Sequence, residues 1–178
     1  MNVDKMKKVL ASLKEFPLDY AQIYVMEERG TYLQFKKNKL NFIQIPNNCG
    51  IFITVVNKGK LGYSFSFNFE FENVNHLVRK AIFNSELLNL SVDISCFEKN
   101  RFDKIDFLPE IYDSGIEDLS LNDKISYMYD LIDWVKTQNN LVNFPQLVYV
   151  DKIKSIQIFD IYQFVGSYQK SIIDMGGF

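Results

Sequence analysis

The sequence predicts an α+β fold, a largely antiparallel β-meander sheet packed with helices. Three observations carry this reading. Strand-period runs crowd into Tyr20 to Phe67, helix-period stripes stand before and after them, and runs of strands and of helices are separate instead of alternating as βαβ units.

The first element is a helix over Asp4 to Phe16. Met6, Val9, Leu10, Leu13 and Phe16 recur at spacings of three and four and share one face, and Pro17 stops the helix. Five short strands are expected next. Apolar and polar residues alternate through Ala21, Ile23 and Val25 and again at Leu40 and Phe42, and Ile51 to Val56 forms an almost continuous apolar run. The expected breaks are Arg29-Gly30, Lys37-Asn38-Lys39, Pro46 to Gly50 and Asn57 to Lys60, where Gly or Asn accepts φ > 0 at little cost. Gly50, Gly59 and Gly62 are all assigned to turn geometry.

A second helix spans about Asn73 to Leu88, with Val74, Leu77, Val78, Ala81, Ile82, Ser85 and Leu88 on one stripe and Asn73 as N-cap. From Asn89 to Leu119 the period is lost, and scattered aromatics predict an ordered crossing segment. The third helix starts at Ser120, where Ser120-Leu121-Asn122-Asp123 resembles a capping box, and runs to about Gln138 with Leu121, Ile125, Met128, Ile132 and Val135 inward. Strands return at Gln146 to Asp151, Ser155 to Phe159 and Tyr168 to Asp174. The organisation read from this order is one domain over 1–178. It comprises helix, meander and helix over 4–88, a crossing over 89–119, and a helix-plus-strands part over 120–178 that weakly echoes the first.

At 178 residues, with 47% hydrophobic and 24% charged residues, the chain is long enough to bury roughly two-thirds of its unfolded surface. A net charge of −2 gives no general attraction for nucleic acid or anionic membrane. The 16 Phe and 10 Tyr stand beside many Asn, Ile and Lys, a compositional bias, so the aromatics are discounted as a binding signal. The polar N-terminus lacks the pattern of a signal peptide and no apolar run reaches membrane-spanning length, which predicts a soluble, cytoplasmic protein with Cys49 and Cys96 both free.

The search for chemistry yields no catalytic, cofactor-binding or metal-ligating residue. His76 is the one histidine in the chain, which excludes a helical His pair, and it reads as an ordinary helix residue. Gly166-Ser167 lacks a nucleophile elbow, Gly59 to Gly62 reads as a hairpin and not a phosphate cradle, and Lys36, Lys37 and Lys39 read as a solvated hairpin tip. Paired carboxylates such as Glu27-Glu28 and Asp103-Asp106 read as solvated charges. An enzyme built on His76 or Tyr63 lacks a second partner.

The order of motifs resembles the N-terminal domain of the TldD/PmbA family, whose members have been called modulators of DNA gyrase and are peptide-processing metalloproteases. The strand Asp19 to Val25, the hairpin Leu33 to Leu40, the Gly-led strand Gly50 to Val55, the turn Asn57 to Lys60, the stretch Gly62-Tyr63-Ser64-Phe65-Ser66, Ala81 on the next helix, and Tyr112 to Ser120 carry the resemblance over roughly Asp4 to Val135. Two departures stand out. Lys36 to Lys39 lacks the hairpin glycine usual in the family, and Phe159 to Gly166 lacks its Asn-Ser.

The resemblance implies a non-catalytic N-terminal domain that shapes a cavity for an extended peptide substrate and works beside a second TldD/PmbA-like subunit, as a homo- or heterodimer. It implies zinc only in a full-length catalytic relative, on a His-Glu-x-x-x-His motif beyond this domain, with no cofactor in this chain. Complete members are longer, and the end at Met175 to Phe178 after a strand-like run reads as a truncated or divergent copy. The alternative reading is a stand-alone interaction or dimerisation module unrelated to proteolysis.

Overall fold

The computed structural model describes residues 3–67, 73–98, 111–138, 146–161 and 164–177. Helix α1 (Val3–Lys14) leads into strands β1 (Tyr20–Lys36), β2 (Lys39–Gln44), β3 (Asn47–Asn57) and β4 (Lys60–Phe67). Helix α2 (Val74–Leu88), the short elements β5 (Leu90–Ser91), α3 (Ser95–Glu98) and α4 (Gly115–Asp118), helix α5 (Leu121–Gln138) and strands β6 (Gln146–Asp160) and β7 (Phe164–Gly177) follow. The seven strands pair in the order β5-β4-β3-β1-β6-β7, with β2 also on β1, and the pairings β1–β2, β3–β4 and β4–β5 are antiparallel. The architecture is α+β.

The meander holds four strands where five were expected. β1 runs 17 residues straight through Arg29-Gly30. Gly30 is there for close approach: a Cβ at that position would lie 2.1 Å from the Asp151 carbonyl oxygen on β6. Two expected turns do form. Lys37 and Asn38 have φ of 49° and 62°, and Lys58 and Gly59 have 51° and 71°, so each hairpin has the two positive-φ central residues of a type I′ turn. The Pro46 to Gly50 break shrinks to its first residues, since β3 starts at Asn47.

Gly50 and Gly62 lie inside β3 and β4, so turn geometry explains Gly59 alone of the three. At Gly62 a Cβ would stand 2.1 Å from the Ala81 carbonyl oxygen and 2.6 Å from the Ser85 nitrogen, so glycine here lets α2 descend onto β4. Asn73 precedes α2 but makes no side-chain capping bond. The crossing is less uniform than its composition implied, with β5, α3 and α4 at its ends; residues 99–110 lie outside the described part. The two late strands expected at Gln146 to Asp151 and Ser155 to Phe159 are one, β6. Its inward phase slips between Ile153 and Ile156, and Lys152 and Lys154 stand 3.6 and 3.8 Å from the Glu28 carboxylate.

The chain divides into two compact units, the first comprising 1–27, 48–108 and 155–168 and the second 28–47, 109–154 and 169–178. In the first, α1 and α2 cover one sheet face: Val9 and Leu13, Ala21, Ile23 and Val25, Ile51, Ile53 and Val55, and Val74, Leu77, Val78 and Ala81 form its core. Ser64 Oγ donates to the Leu77 carbonyl at 2.7 Å, which satisfies a buried hydroxyl at the strand–helix contact. The α2 stripe is as expected up to Ser85, whereas Leu88 is exposed. In the second unit, Leu33 and Phe35 of β1, Met128 and Ile132 of α5, and Leu147 and Tyr149 of β6 form a separate core. Ser120 and Asp123 cap α5 reciprocally, at 2.9 Å from Ser120 N to Asp123 Oδ2 and 3.1 Å from Asp123 N to Ser120 Oγ.

Candidate functional site

The second unit carries a charge network that no sequence motif announced. α5 turns Lys124 inward on the stripe of Met128 and Ile132, and β6 alternates Leu147, Tyr149, Asp151 and Ile153 inward. Lys124 Nζ lies 2.7 Å from Asp151 Oδ2, with side chains only 9% and 2% exposed, and donates to Thr31 Oγ1 at 2.9 Å. The ion pair is close but off the line of a good hydrogen bond.

The Tyr149 hydroxyl is buried and has no aligned hydrogen-bond partner. Burial first, and then the neighbouring Asp151 carboxylate, raise its pKa well above the ordinary tyrosine value. A legible signal for these residues did exist. Lys124 sits four residues before Met128 on an apolar helix stripe, and Asp151 sits in phase with Leu147 and Ile153, so each is a charge on a buried period.

Two cavities flank Lys124. The larger, of about 490 Å³, runs along α5 and is lined by Asp123, Lys124, Ser126, Tyr127 and Asp130, with Leu119, Tyr149, Ile173 and Met175 completing the wall. The smaller, of about 210 Å³, is lined by Arg29, Thr31, Ile116, Glu117, Lys124 and Asp151, among others. At its rim the Tyr112 hydroxyl donates to Glu117, and Arg29 pairs with the same carboxylate. The Tyr112 bond first, and Arg29 with it, hold the Glu117 carboxyl below the usual range against the opposing pull of burial. The network itself neutralises a buried ammonium and ties α5 to β6 and β1. The larger cavity is open and of a size that takes a small ligand.

In the first unit His76 is exposed on α2, and Tyr63 lies on the sheet face away from the helices, stacked on Phe52 with ring centroids 5.8 Å apart. Phe65 and Phe67 extend that exposed row along β4. Four of the aromatics discounted as compositional, Phe52, Tyr63, Phe65 and Phe67, thus share one exposed face. Cys49 is a half-buried free thiol whose pKa is pushed up by burial and then by Glu27, and Lys36, Lys37 and Lys39 form an exposed hairpin tip. Among the described residues no group of three or more His, Cys, Asp or Glu side chains is placed to hold a metal. No described helix is long and apolar enough to cross a membrane.

An antiparallel sheet with helices on one face and an exposed aromatic row on the other, with an open cleft in the second unit, makes this a domain of the α+β class. Residues 21–85 match the model of the PmbA/TldA metallopeptidase domain 1. The fold is shared with three solved structures. One, called a modulator of a DNA gyrase, from Thermotoga maritima, superposes with a TM-score of 0.77 at 17% identity over 98% of this chain and 38% of that one. TldE from Thermococcus kodakarensis gives 0.74 at 12% identity over 96% and 38%. Another protein called a modulator of DNA gyrase, from Bacteroides thetaiotaomicron, gives 0.71 at 12% identity over 97% and 39%. No curated protein sequence matches. The likeness to that first metallopeptidase domain rests on residues 21–85, the likeness of fold runs along nearly the whole chain, and the chain spans about two-fifths of the length of these structures.

Proposed function

We propose that this chain is one non-catalytic N-terminal domain of a TldD/PmbA-like metalloprotease, or of its inactive partner subunit, acting in the cytoplasm. Its role is to wall a cavity that admits an extended peptide to a metal site supplied elsewhere, beside a second TldD/PmbA-like subunit. The observation that carries this reading is the match to domain 1 of a metallopeptidase family over 21–85, on a fold shared along nearly the whole chain.

Zinc, which the family implies, has no fitting donor set among the described residues, so no step of catalysis is assigned to this chain. What these residues do supply is surface. A β-rich wall holds an extended peptide through backbone hydrogen bonds along a strand, with side-chain pockets for selectivity. The test is hydrolysis of an unstructured peptide by the purified chain with and without a chelator, beside the same assay after adding a catalytic TldD-type subunit. The reading expects no hydrolysis by the chain alone and a changed rate or cleavage pattern on addition. Robust chelator-sensitive hydrolysis by the chain alone overturns it.

The exposed row Phe52, Tyr63, Phe65 and Phe67 favours a second reading, a stand-alone dimerisation module. Sedimentation over a concentration series separates the two: a self-associating chain that leaves the catalytic subunit unaffected supports the module.

A further inference from the structure

We propose that the cleft along α5 in the second unit binds an organic cation, an amine or guanidine carried on an apolar body. The inference stands on the cleft itself and does not depend on the peptide-handling role.

The helix sets up the recognition. Asp123, Ser126, Tyr127 and Asp130 fall at i, i+3, i+4 and i+7, so one stripe of α5 presents two carboxylates about 10 Å apart along the axis, with a hydroxyl and an aromatic ring between them. Both acids are exposed and carry their charge into the cleft. Asp123 accepts the Ser120 amide on Oδ2 as part of the helix cap, and Asp130 has no ion-pair partner among the described residues.

The cation at hand does not cancel them. Lys124 lines the same cavity, but its ammonium is buried against Asp151 and Thr31. The four charges therefore sum to a cleft that is negative by two, with the pair balanced and the acids left over. Tyr127, half exposed on the stripe, offers a ring face to a cation. Ile173 and Met175 of β7 give the apolar side of the wall.

An independent observation points the same way. Tyr149 is 3% exposed, lines this cavity, and has a hydroxyl without an aligned partner, an acceptor that a cationic N–H would satisfy. The wall thus combines unneutralised negative charge, a ring face, apolar side chains and an open acceptor. An anion would be repelled, and a neutral ligand would leave the acids unanswered.

The probes are benzylamine at neutral pH, where it is a cation, and benzyl alcohol, its uncharged counterpart of similar shape, titrated into the full chain and followed by amide chemical shifts. Benzylamine is expected to saturate, with shifts concentrated at 119–130 and 173–175, and to bind about tenfold more tightly than benzyl alcohol. Asp130→Asn should weaken it about threefold to fivefold, as should Tyr127→Ala, with circular dichroism unchanged because both side chains are at the surface.

Two blocked peptides, N-acetyl-Gly-Lys-Gly-amide and its Leu analogue, distinguish the source of the cation. Binding of the Lys peptide supports the proposal with a peptide-borne cation. Binding of benzylamine alone supports it with a free amine and removes the cleft from peptide handling. Equal affinity for amine and alcohol, absence of shifts at the cleft, or indifference to both substitutions overturns the proposal.

Discussion

Replacing Lys124 with Met tests whether the buried ion pair holds the second unit together. Met keeps most of the length and apolar body of lysine and removes the charge, so Asp151, 2% exposed, is left as an ionised carboxylate without its partner. Removing one member of a buried pair costs about 3–5 kcal/mol, most of it the desolvation of the charge left behind. Thr31 also loses the donor that its hydroxyl now accepts at 2.9 Å. For a chain of this size, roughly 2–4 °C per kcal/mol converts that loss to a fall of about 6–20 °C in Tm.

The assay is urea unfolding monitored by circular dichroism and tryptophan fluorescence, Trp134 on α5 being the one tryptophan. The companion variant Lys124→Met/Asp151→Leu removes both charges and should recover more than half of the loss, because a packed apolar pair replaces an unpaired ion. If Lys124→Met costs less than about 1 kcal/mol, the value of an exposed pair, water in the flanking cavities is solvating Asp151 and the reasoning fails.

Gly62→Ala drives a methyl into the Ala81 carbonyl and the Ser85 amide, backbone atoms that cannot rotate away, and should cost about 3 kcal/mol or more by calorimetry. Gly30→Ala does the same against the Asp151 carbonyl; combined with Lys124→Met it should lose less than the sum of the two, since both act on Asp151. Ser120→Ala removes the acceptor for the Asp123 amide and should cost about 1 kcal/mol, read from the urea midpoint. Tyr149→Phe reports on alkaline pH. The folded pKa is raised, so the unfolded chain gives up its proton first, and the contribution is intact below the usual tyrosine value and lost as pH rises through the folded one. The variant should match wild type at pH 8 within about 1 kcal/mol and unfold less readily above about pH 10, seen in urea midpoints at the two pH values.

The elements legible in the sequence were those with a period long enough to repeat. α1, α2 and α5 each show a stripe at three-and-four spacing whose central residues the structure buries, among them Val9 and Leu13, Val74, Leu77, Val78 and Ala81, and Met128 and Ile132, and Ser120 with Asp123 marks the start of α5 through a reciprocal cap. Strand breaks were misjudged where a residue type has two physical uses. Glycine at position 30 suits a turn because it tolerates φ > 0, whereas its lack of a Cβ is what β6 requires; Lys152 and Lys154 interrupt the apolar pattern between two expected strands, whereas they stand on the outer side of a continuous β6 beside Glu28. The network of Lys124, Asp151, Thr31 and Tyr149 spans residues up to 120 positions apart, and only packing brings it together.

The family signature falls on 21–85, and the geometry there accounts for what a sequence of this kind has to keep in order. β4 lies against α2 at Gly62, Ala81 and Ser85, where each side chain is small or absent because backbone approaches backbone, and Ser64 one pitch along hands its hydroxyl to the Leu77 carbonyl. Spacing between these residues is fixed twice over, by the strand period of two on one side and the helix period on the other. A larger residue at any of them would lift the helix from the sheet. Second-unit packing obeys a looser rule. Lys124 and Asp151 need only meet charge to charge on elements already apposed, and a matched apolar pair would serve the same fold. With Lys124 held by Asp151, the cleft beside the pair is lined by the carboxylates of Asp123, which the Ser120 amide caps, and Asp130, which has no ion-pair partner among the described residues.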